Sequence, residues 1–511
     1  MQPNIKTGIS FGIIGGLLTF LFGGWSVAVI GCLMGIGLGL GFGGRISKST
    51  PLNMAKEALK PALTAAGTLF VLSLIQNFVI QGMIGKYPED LNTFIFSNLF
   101  GVLGAAGLTC LVVSFGAHDK KTERTYKMIL LAVLVVAFPF VDNFTELRWT
   151  AQIIFALIFV ILGLGLNIVV GYAGLLDLGY AAFFAIGAYT TGILSSPVHN
   201  TEWNFWLVIW IAAAMAGIWG LMLGAPTLPL RGDYLAIVTL GFGEIVPVLF
   251  RNLIDVTIKE PFTCWILPAI MKVFGASSTL ACITFVEHED LTLGEKGISP
   301  IGRPYLPFIG EFESSKPITW YFLIVALILL SVFIINRLRD SRLGRAWMAI
   351  REDELAAAQM GIDPVKTKLA AFAMGAMFSG FAGAFYAAYI RGIFPSVFDF
   401  SASIIILCVV ILGGIGNING VIVGGLVLMT ADRLFLPALK DFLTALLTHS
   451  VLPAISNPAI QTAVKDNANP ILYRFLLFGL TLVIMMAVRP EGLIPNEQVR
   501  AELHAAEEKK G

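Results

Sequence analysis

Charge is what this sequence has least of. Only 13% of its 511 residues are Asp, Glu, Lys or Arg, against 57% that are hydrophobic, and the mean hydropathy is +0.82. Soluble domains carry about 25% charged residues, so the composition excludes a large soluble domain and points to a membrane interior. The deficit is concentrated. Stretches 7–44, 149–176, 178–201 and 203–230 hold no charged residue, and roughly 20 apolar residues suffice to cross a bilayer. The net charge of +1 says nothing about nucleic acid, but there is no long basic run, and no nucleic-acid partner is expected.

Cysteine, histidine and nucleotide motifs are scarce as well. The five cysteines, Cys32, Cys110, Cys264, Cys282 and Cys408, show no metal-ligand spacing. Cys264 and Cys282 share an expected exterior loop and could pair there, although two free apolar thiols are the commoner outcome. The five histidines are scattered and none sits in H-E-x-x-H, which excludes a zinc-hydrolase motif. "GLGFGG" (39–44) matches G-x-G-x-x-G but lies in an apolar segment with no strand before it. "GGRISKST" (43–50) fails the phosphate-loop pattern because Ser47, not Gly, precedes Lys48. No catalytic residue, metal or cofactor is expected on this chain, and it carries no readable motif for binding ATP.

What is present is a series of apolar segments, which predict an all-α polytopic membrane protein with about 11–14 transmembrane segments, short or re-entrant helices included. The first run, 8–43, would be about 54 Å long as one helix, too long for a core of about 30 Å. It is therefore expected to fold as a hairpin about Gly23–Trp25, with the basic flanks at Lys6 and at Arg45, Lys48, Lys56 and Lys60 on the cytoplasmic side. "MQPNIKTGIS" lacks a small-residue cleavage site and reads as a retained first segment. Further spans are expected near 61–83, 92–116, 128–141, 149–171, 173–194, 205–229, 234–250, 318–336, 368–391, a pair within 403–436, and 471–488. The segment 118–127 is expected as a basic cytoplasmic loop.

Alternation from a cytoplasmic N-terminus places 251–317 outside and 337–367 inside. Charge agrees, since 337–351 holds five arginines against one Asp. The expected organisation is an N-terminal membrane extension (1–127), a core (128–492) and a cytoplasmic tail (493–511). Both termini are placed in the cytoplasm. Small residues at four-residue spacing, Gly375, Ser379, Gly383 and Ala387 beside Ala376, Gly380, Ala384 and Ala388, with Ala181, Ala185, Ala188 and Gly192, predict close helix contacts.

Polar groups inside membrane segments are costly and mark function by default. Asn167, Tyr172, Asp177 and Tyr180 surround a Gly-rich break between two apolar helices, where free backbone groups could hold a zwitterion. Tyr234 and Glu244 lie on the next helix but one, opened by Asp233, which fits a simple N-cap equally well. Asn417 and Asn419 sit in a glycine turn, read more simply as a tight interhelical connection.

The polar island "RLGRAWMAIREDELAAAQMGID" (342–363) reads as an amphipathic helical stretch with an apolar stripe of Leu343, Trp347, Ile350, Leu355, Ala358 and Ile362, ended by Gly361 and Pro364. It could lie on the lipid interface. Glu352, Asp353 and Glu354 argue against anionic lipid as its sole partner, which favours docking of a soluble protein.

Five ordered stretches, "GLNIVVGYAGLLDLGYAAFFAIGAY", "LRGDYLAIVTLGFGEIVPV", "INRLRDSRLGRAWMAIREDELAAAQMGI", "VVILGGIGN" and "VRPEGL", resemble the LivM-type permeases of branched-chain amino acid ABC transporters over about residues 128–492. The resemblance implies a bacterial inner-membrane importer subunit for branched-chain or other aliphatic amino acids. Its implied partners are a homologous LivH-type permease, a pair of cytoplasmic ATPases and a periplasmic amino-acid-binding protein, besides membrane lipid. It also implies that 342–363 couples to the ATPases, with Glu354, Ala356, Ala357 and Gly361 matching a loosened E-A-A…G motif, and with Arg345, Trp347, Glu352 and Asp353 beside them. The chain departs from the family at "LTLGEKGISPIGRP" (291–304), the displaced counterpart of a G-G-P-N-G-I-like turn. A urea or short-amide ABC permease, an ion-coupled secondary amino acid transporter and a channel remain the alternatives. The docking segment separates them, because a solitary transporter has no need of it.

Overall fold

The computed structural model of the chain describes residues 3–22, 26–43, 51–76, 91–114, 120–199, 201–227, 233–254, 256–259, 284–307, 310–454, 457–489 and 491–494. It is helical almost throughout. In chain order the α-helices are α1 (Pro3–Phe22), α2 (Ser26–Gly43), α3 (Pro51–Ile75), α4 (Leu91–Ser114), α5 (Lys120–Thr145), α6 (Trp149–Leu166), α7 (Ala181–Ser195), α8 (Phe205–Thr227) and α9 (Asp233–Asn252). Then follow α10 (Pro317–Asp340), α11 (Arg342–Glu352), α12 (Glu354–Gln359), α13 (Pro364–Ile390), α14 (Phe400–Gly413), α15 (Ile418–Thr430), α16 (Leu436–Leu446), α17 (Pro458–Asn467) and α18 (Arg474–Val488). Among the described residues, 10 helices are long and apolar enough to cross a membrane, and four shorter apolar helices accompany them, including α7 and α14. This is the polytopic all-α architecture that the charge-free runs predict.

Two local expectations change. Residues 120–127, expected as loop, form the first turns of α5, where Glu123 and Lys127 pair one turn apart. Such a pair favours helix over loop. Residues 173–180, expected within a span, are unwound, so the following helix begins only at Ala181. The cysteines at 264 and 282 lie outside the described residues.

The chain divides into two compact units. One comprises Met1–Gln152 with Thr430–Leu476. Its core is built by α1–α4 around Val27, Ile30, Met34, Leu38, Met54, Ala58, Leu69 and Ala105. Close helix approach is possible because glycines face backbone: a Cβ on Gly31 would lie 2.3 Å from the Gly101 carbonyl oxygen. Asp142 closes the end of α5 by accepting from the Trp149 and Thr150 amides at 2.9 and 2.8 Å.

The other unit comprises Ile153–Met429 with Leu477–Gly511. Its centre is α13, whose small residues make the close helix contacts that their spacing predicts, and make them with two different neighbours. A Cβ on Gly383 would meet the Phe184 carbonyl oxygen of α7 at 2.5 Å, and one on Gly380 would meet the Ala212 carbonyl oxygen of α8 at 2.8 Å. Lipid supplies no hydrophobic drive between helices, so contact at this range is what holds them.

At the end of the unit opposite 342–363 by chain alternation, a short antiparallel pair, Val256–Lys259 with Thr284–Glu289, runs in the register Val256↔Glu289, Ile258↔Val286 and Lys259↔Thr284. The segment after it is pinned to helix ends. The Gly302 amide donates to Ser195 O at 2.9 Å, Ile298 and Ile393 form an antiparallel bridge, and Trp206 Nε1 donates to Tyr305 O at 2.9 Å.

Gly383→Ala should destabilise the solubilised protein by about 1–3 kcal/mol, because the added methyl meets backbone that cannot rotate away. Gly67→Ala, whose Cβ would meet nothing within 4 Å, should be neutral or stabilising by up to about 1 kcal/mol. Thermal unfolding of both variants in detergent, compared with the parent, checks the contrast.

Candidate functional site

The break between α6 and α7 is built from a helix that widens before it ends. After Leu166 the backbone enters a π-turn over Asn167–Tyr172, with Ala173 N donating to Ile168 O and Leu175 N to Val169 O at 3.2 and 3.0 Å. Such turns free backbone groups and recur at functional sites. Here the freed groups are taken up by neighbouring helices. Thr239 Oγ1 of α9 accepts from the Leu178 amide at 3.1 Å, Asp177 Oδ1 from Gly179 N at 2.9 Å, and Ser403 Oγ of α14 from Ala181 N at 2.9 Å. Tyr180 Oη donates to Gly375 O of α13 at 2.7 Å.

Asn167, Tyr172, Asp177 and Tyr180 are all buried, at 0–3% exposure, and the structure does bring them to one junction. It holds that junction closed. The void beside Asp177 and Thr239 is about 10 Å³, at the lower limit for one water and far below an amino acid. The amides at the start of α7, which a zwitterion held at the break would need as free donors, are already occupied: Ala181 N by Ser403 Oγ, Ala182 N by Gly179 O and Phe183 N by Tyr180 O. Asn167 Nδ2 and Tyr172 Oη find no hydrogen-bond partner among the described residues.

A second junction ties the break to the glycine turn after α14. Asn167 Oδ1 accepts from Gly416 N at 2.8 Å, and Gly414 and Gly416 hold φ of +115° and +82°. Asn417 Oδ1 accepts from Asn419 N at 3.0 Å and so starts α15. The "GGIGN" stretch is thus a tight connection, as its simpler interpretation held.

Residues 342–363 form an elbow of two helices, not one continuous stretch. Ser341 caps α11 by accepting from Gly344 N at 3.3 Å. Asp353 interrupts the helix with extended backbone and caps α12, accepting from Leu355 N and Ala356 N at 2.9 and 3.0 Å. Asp363 then caps α13, accepting from Val365 N and Lys366 N at 3.1 and 3.2 Å. These bonds to the ionised form, with Lys366 beside it, hold the Asp363 carboxyl below the usual range. Each cap is worth about 0.5–2 kcal/mol. Gly361, at φ +87°, supplies the left-handed turn between α12 and α13, and Pro364 opens α13 instead of merely ending the segment before it.

The expected docking residues divide by exposure. Arg345, Glu352, Asp353, Ala356 and Gly361 are exposed, whereas Ala357 is buried. Trp347 is fully buried, and its Nε1 donates to Thr367 O at 2.8 Å. In this conformation it fastens the elbow to α13 and presents nothing to a partner. Glu354 pairs with Lys368, whose side chain is 9% exposed, at 2.7 Å. Leu355 and Met360, by contrast, are exposed at 66% and 83%. Leu355 belongs to the apolar stripe that the sequence spacing predicts, and Met360 lies outside it.

Arg351 was also missed, because in "IREDE" it looks like one more surface charge. Its guanidinium donates to Gly171 O, near the end of the π-turn. Its side chain lies over Gly174, where a Cβ would come within 2.9 Å of Arg351 Cγ and where φ is +69°. The elbow and the broken helix are therefore joined by one side chain.

Tyr234 and Glu244 do not join the break. Both are exposed on the outer face of α9, Tyr234 at 70%, while Thr239 and Gly243 face Gly179 on the inner side. At the end of the unit opposite the elbow, a cavity of about 400 Å³ is lined by Glu202, Trp203, Arg303, Tyr305, Glu311 and Arg391 among others. Among the described residues no group of His, Cys, Asp and Glu could hold a metal ion.

Residues 150–485 match the family described as "Branched-chain amino acid transport system / permease component". The chain is 37% identical over 398 residues to the high-affinity branched-chain amino acid transport system permease protein LivM of Escherichia coli (strain K12), which covers 74% of this chain and 76% of that one. The probable branched-chain amino acid transport permease protein LivM of Methanocaldococcus jannaschii is 25% identical over 346 residues, 67% of this chain and 92% of that one. The permease protein LivH of the E. coli high-affinity system is 31% identical over 192 residues, 38% of this chain and 51% of that one. No solved structure matches the chain.

Arg351→Met leaves the Gly171 carbonyl without its donor and should destabilise the unit by about 1–3 kcal/mol. Gly174→Ala disturbs the same contact from the other side. The double variant should lose less than the sum of the two, by about 0.5–3 kcal/mol of coupling. Strict additivity in thermal unfolding would show that the link carries no energy.

Proposed function

The chain belongs to the family of branched-chain amino acid transport permease components, and on that ground we propose that it is the membrane-spanning permease subunit of an ATP-driven importer for branched-chain amino acids. It is a multi-pass membrane protein and a transport subunit, not an enzyme. Its place is the bacterial inner membrane, with both termini in the cytoplasm. A homologous LivH-type permease completes the membrane part, a pair of cytoplasmic ATPases binds and hydrolyses ATP, and a periplasmic amino-acid-binding protein delivers substrate. The chain itself uses no cofactor.

The observation that carries this proposal is the elbow. A chain without a nucleotide motif that moves substrate by ATP must receive the energy through a protein contact. α11 and α12 supply a capped, internally fastened surface for one, with Leu355 and Met360 exposed among Arg345, Glu352 and Asp353. Exposed apolar side chains within a charged rim suit a protein better than anionic lipid.

Transmission then follows bonds already described. Trp347 anchors the elbow to α13, and Arg351 ties it to Gly171 at the start of the break. Movement of the docked ATPases would reach Asn167, Tyr172, Asp177 and Tyr180 by these two links, as a rigid-body shift. The closed junction would open toward one side of the membrane at a time. With the termini in the cytoplasm, the polar cavity beside Glu202, Arg303, Glu311 and Arg391 would receive substrate released outside, and its volume falls within the roughly 300–1,000 Å³ usual for small-ligand sites.

Two outcomes are expected. In cells or proteoliposomes carrying the whole complex, leucine uptake should stop when ATP is removed and persist when an uncoupler collapses the proton gradient at constant ATP. The reverse dependence would identify an ion-coupled carrier, and competition by urea but not by isoleucine or valine would reassign the substrate. Leu355→Asp with Met360→Asp should abolish co-purification of the ATPases and leave the melting temperature of the isolated chain unchanged, since neither side chain packs internally.

A further inference from the structure

Helix α9 has two unlike faces. Leu235, Ala236, Thr239, Gly243 and Val246 are buried against the rest of the unit. Tyr234, Ile237, Gly241, Glu244, Ile245 and Val248 recur at three- and four-residue spacing and are all exposed. Elsewhere exposed faces of spanning helices suit lipid: Leu207, Trp210, Ile218 and Met222 on α8, and Leu329, Leu330 and Phe333 on α10. The face of α9 does not. Glu244 stands near the middle of its 20-residue helix, and no described residue forms an ion pair or hydrogen bond with it. A carboxylate at that depth is costly against hydrocarbon and faces protein or a water-filled space by default.

We propose that this face of α9 is the surface on which the second, homologous permease subunit packs, with Glu244 at the seam between the two chains. The inference rests on the transporter proposed above. Of the partners named there, ATPases and binding protein are soluble and reach only the ends of a spanning helix, so a membrane-embedded chain alone can cover its middle. Gly241 provides the means of close approach, because a Cβ there would meet nothing within 4 Å and a neighbouring helix can settle into the notch. A second copy of this same chain is a poorer occupant. A two-fold contact would bring equivalent residues together across the axis and oppose one Glu244 to the other. An unlike permease can offer a cation or hydroxyl groups at that position.

The test uses the whole complex in native membranes, with the five native cysteines replaced by alanine and single cysteines introduced as Ile237→Cys, Gly241→Cys or Ile245→Cys. Each is labelled with a benzophenone maleimide and irradiated; Leu329→Cys and Phe333→Cys on α10 serve as lipid-facing controls. Labels on α9 should give a product with the combined mass of the two permeases, and the controls should not. Products confined to lipid, to a second copy of this chain, or within this chain would overturn the proposal. Co-purification of the second permease with the affinity-tagged chain separates the two levels of failure. If it co-purifies but crosslinks elsewhere, the α9 surface is wrong and the transporter stands; if it does not co-purify, the transporter proposal itself falls. Glu244→Leu should retain expression and insertion but lose co-purified permease, and unchanged recovery with this variant would remove Glu244 from the seam.

Discussion

Every unwound backbone group within this protein's membrane part must find a partner inside the protein, because hydrocarbon offers none. That constraint explains the local architecture of the break after α6. A π-turn and eight unwound residues would be untenable against lipid, yet here Thr239, Asp177 and Ser403 accept the loose amides, and Arg351 supplies a donor for Gly171 O. The helices that contribute these groups, α9, α14 and the elbow, are thereby fixed in position around the break. Satisfying the break and organising the unit are one task.

The same economy of polar groups makes the elbow intelligible. Charged residues are rare, and several of those between 342 and 363 have defined uses: Asp353 and Asp363 cap helices, Glu354 and Asp363 pair with Lys368 and Lys366, and Arg351 makes one long-range bond. Asp353 is the pivot: by capping α12 it breaks what would otherwise be a single amphipathic helix. The apolar stripe therefore splits. Trp347 and Ile350 turn inward, while Leu355 and Met360 are left outside. A rigid corner of this kind can transmit a push, whereas a continuous surface helix could slide along the interface.

Much of the fold was legible from the order of residues. The charge-free runs give the spans, and the four-residue spacing of Gly and Ala on α13 gives its contacts with α7 and α8, since small side chains are what permit such approach. The division of the first apolar run into α1 and α2 followed from a length too great for one crossing, while its expected turn at Gly23–Trp25 lies outside the described residues. The elements misjudged were those governed by backbone detail. Hydropathy averaged over a window cannot see that 173–180 is unwound, and a basic segment such as 120–127 looks like loop until the Glu123–Lys127 spacing is taken into account. The cluster at the break was visible as polar residues in apolar surroundings. Its partners were not, because Thr239, Ser403 and Gly416 are ordinary residues far away in sequence.

The sequence by itself determined the class of the protein, its polytopic helical architecture and its lack of any nucleotide motif, because these depend on composition and short-range periodicity. It also marked the polar residues that hydrocarbon would reject. Only the tertiary structure decided what each of them does. It placed Asp177 in the break and Glu244 on the outer face of α9, buried Trp347 and exposed Met360, and joined Arg351 to Gly171 across 180 residues of chain. The physical reason is that burial and hydrogen-bond partnership are properties of the space around a side chain, and that space is filled by residues distant in sequence.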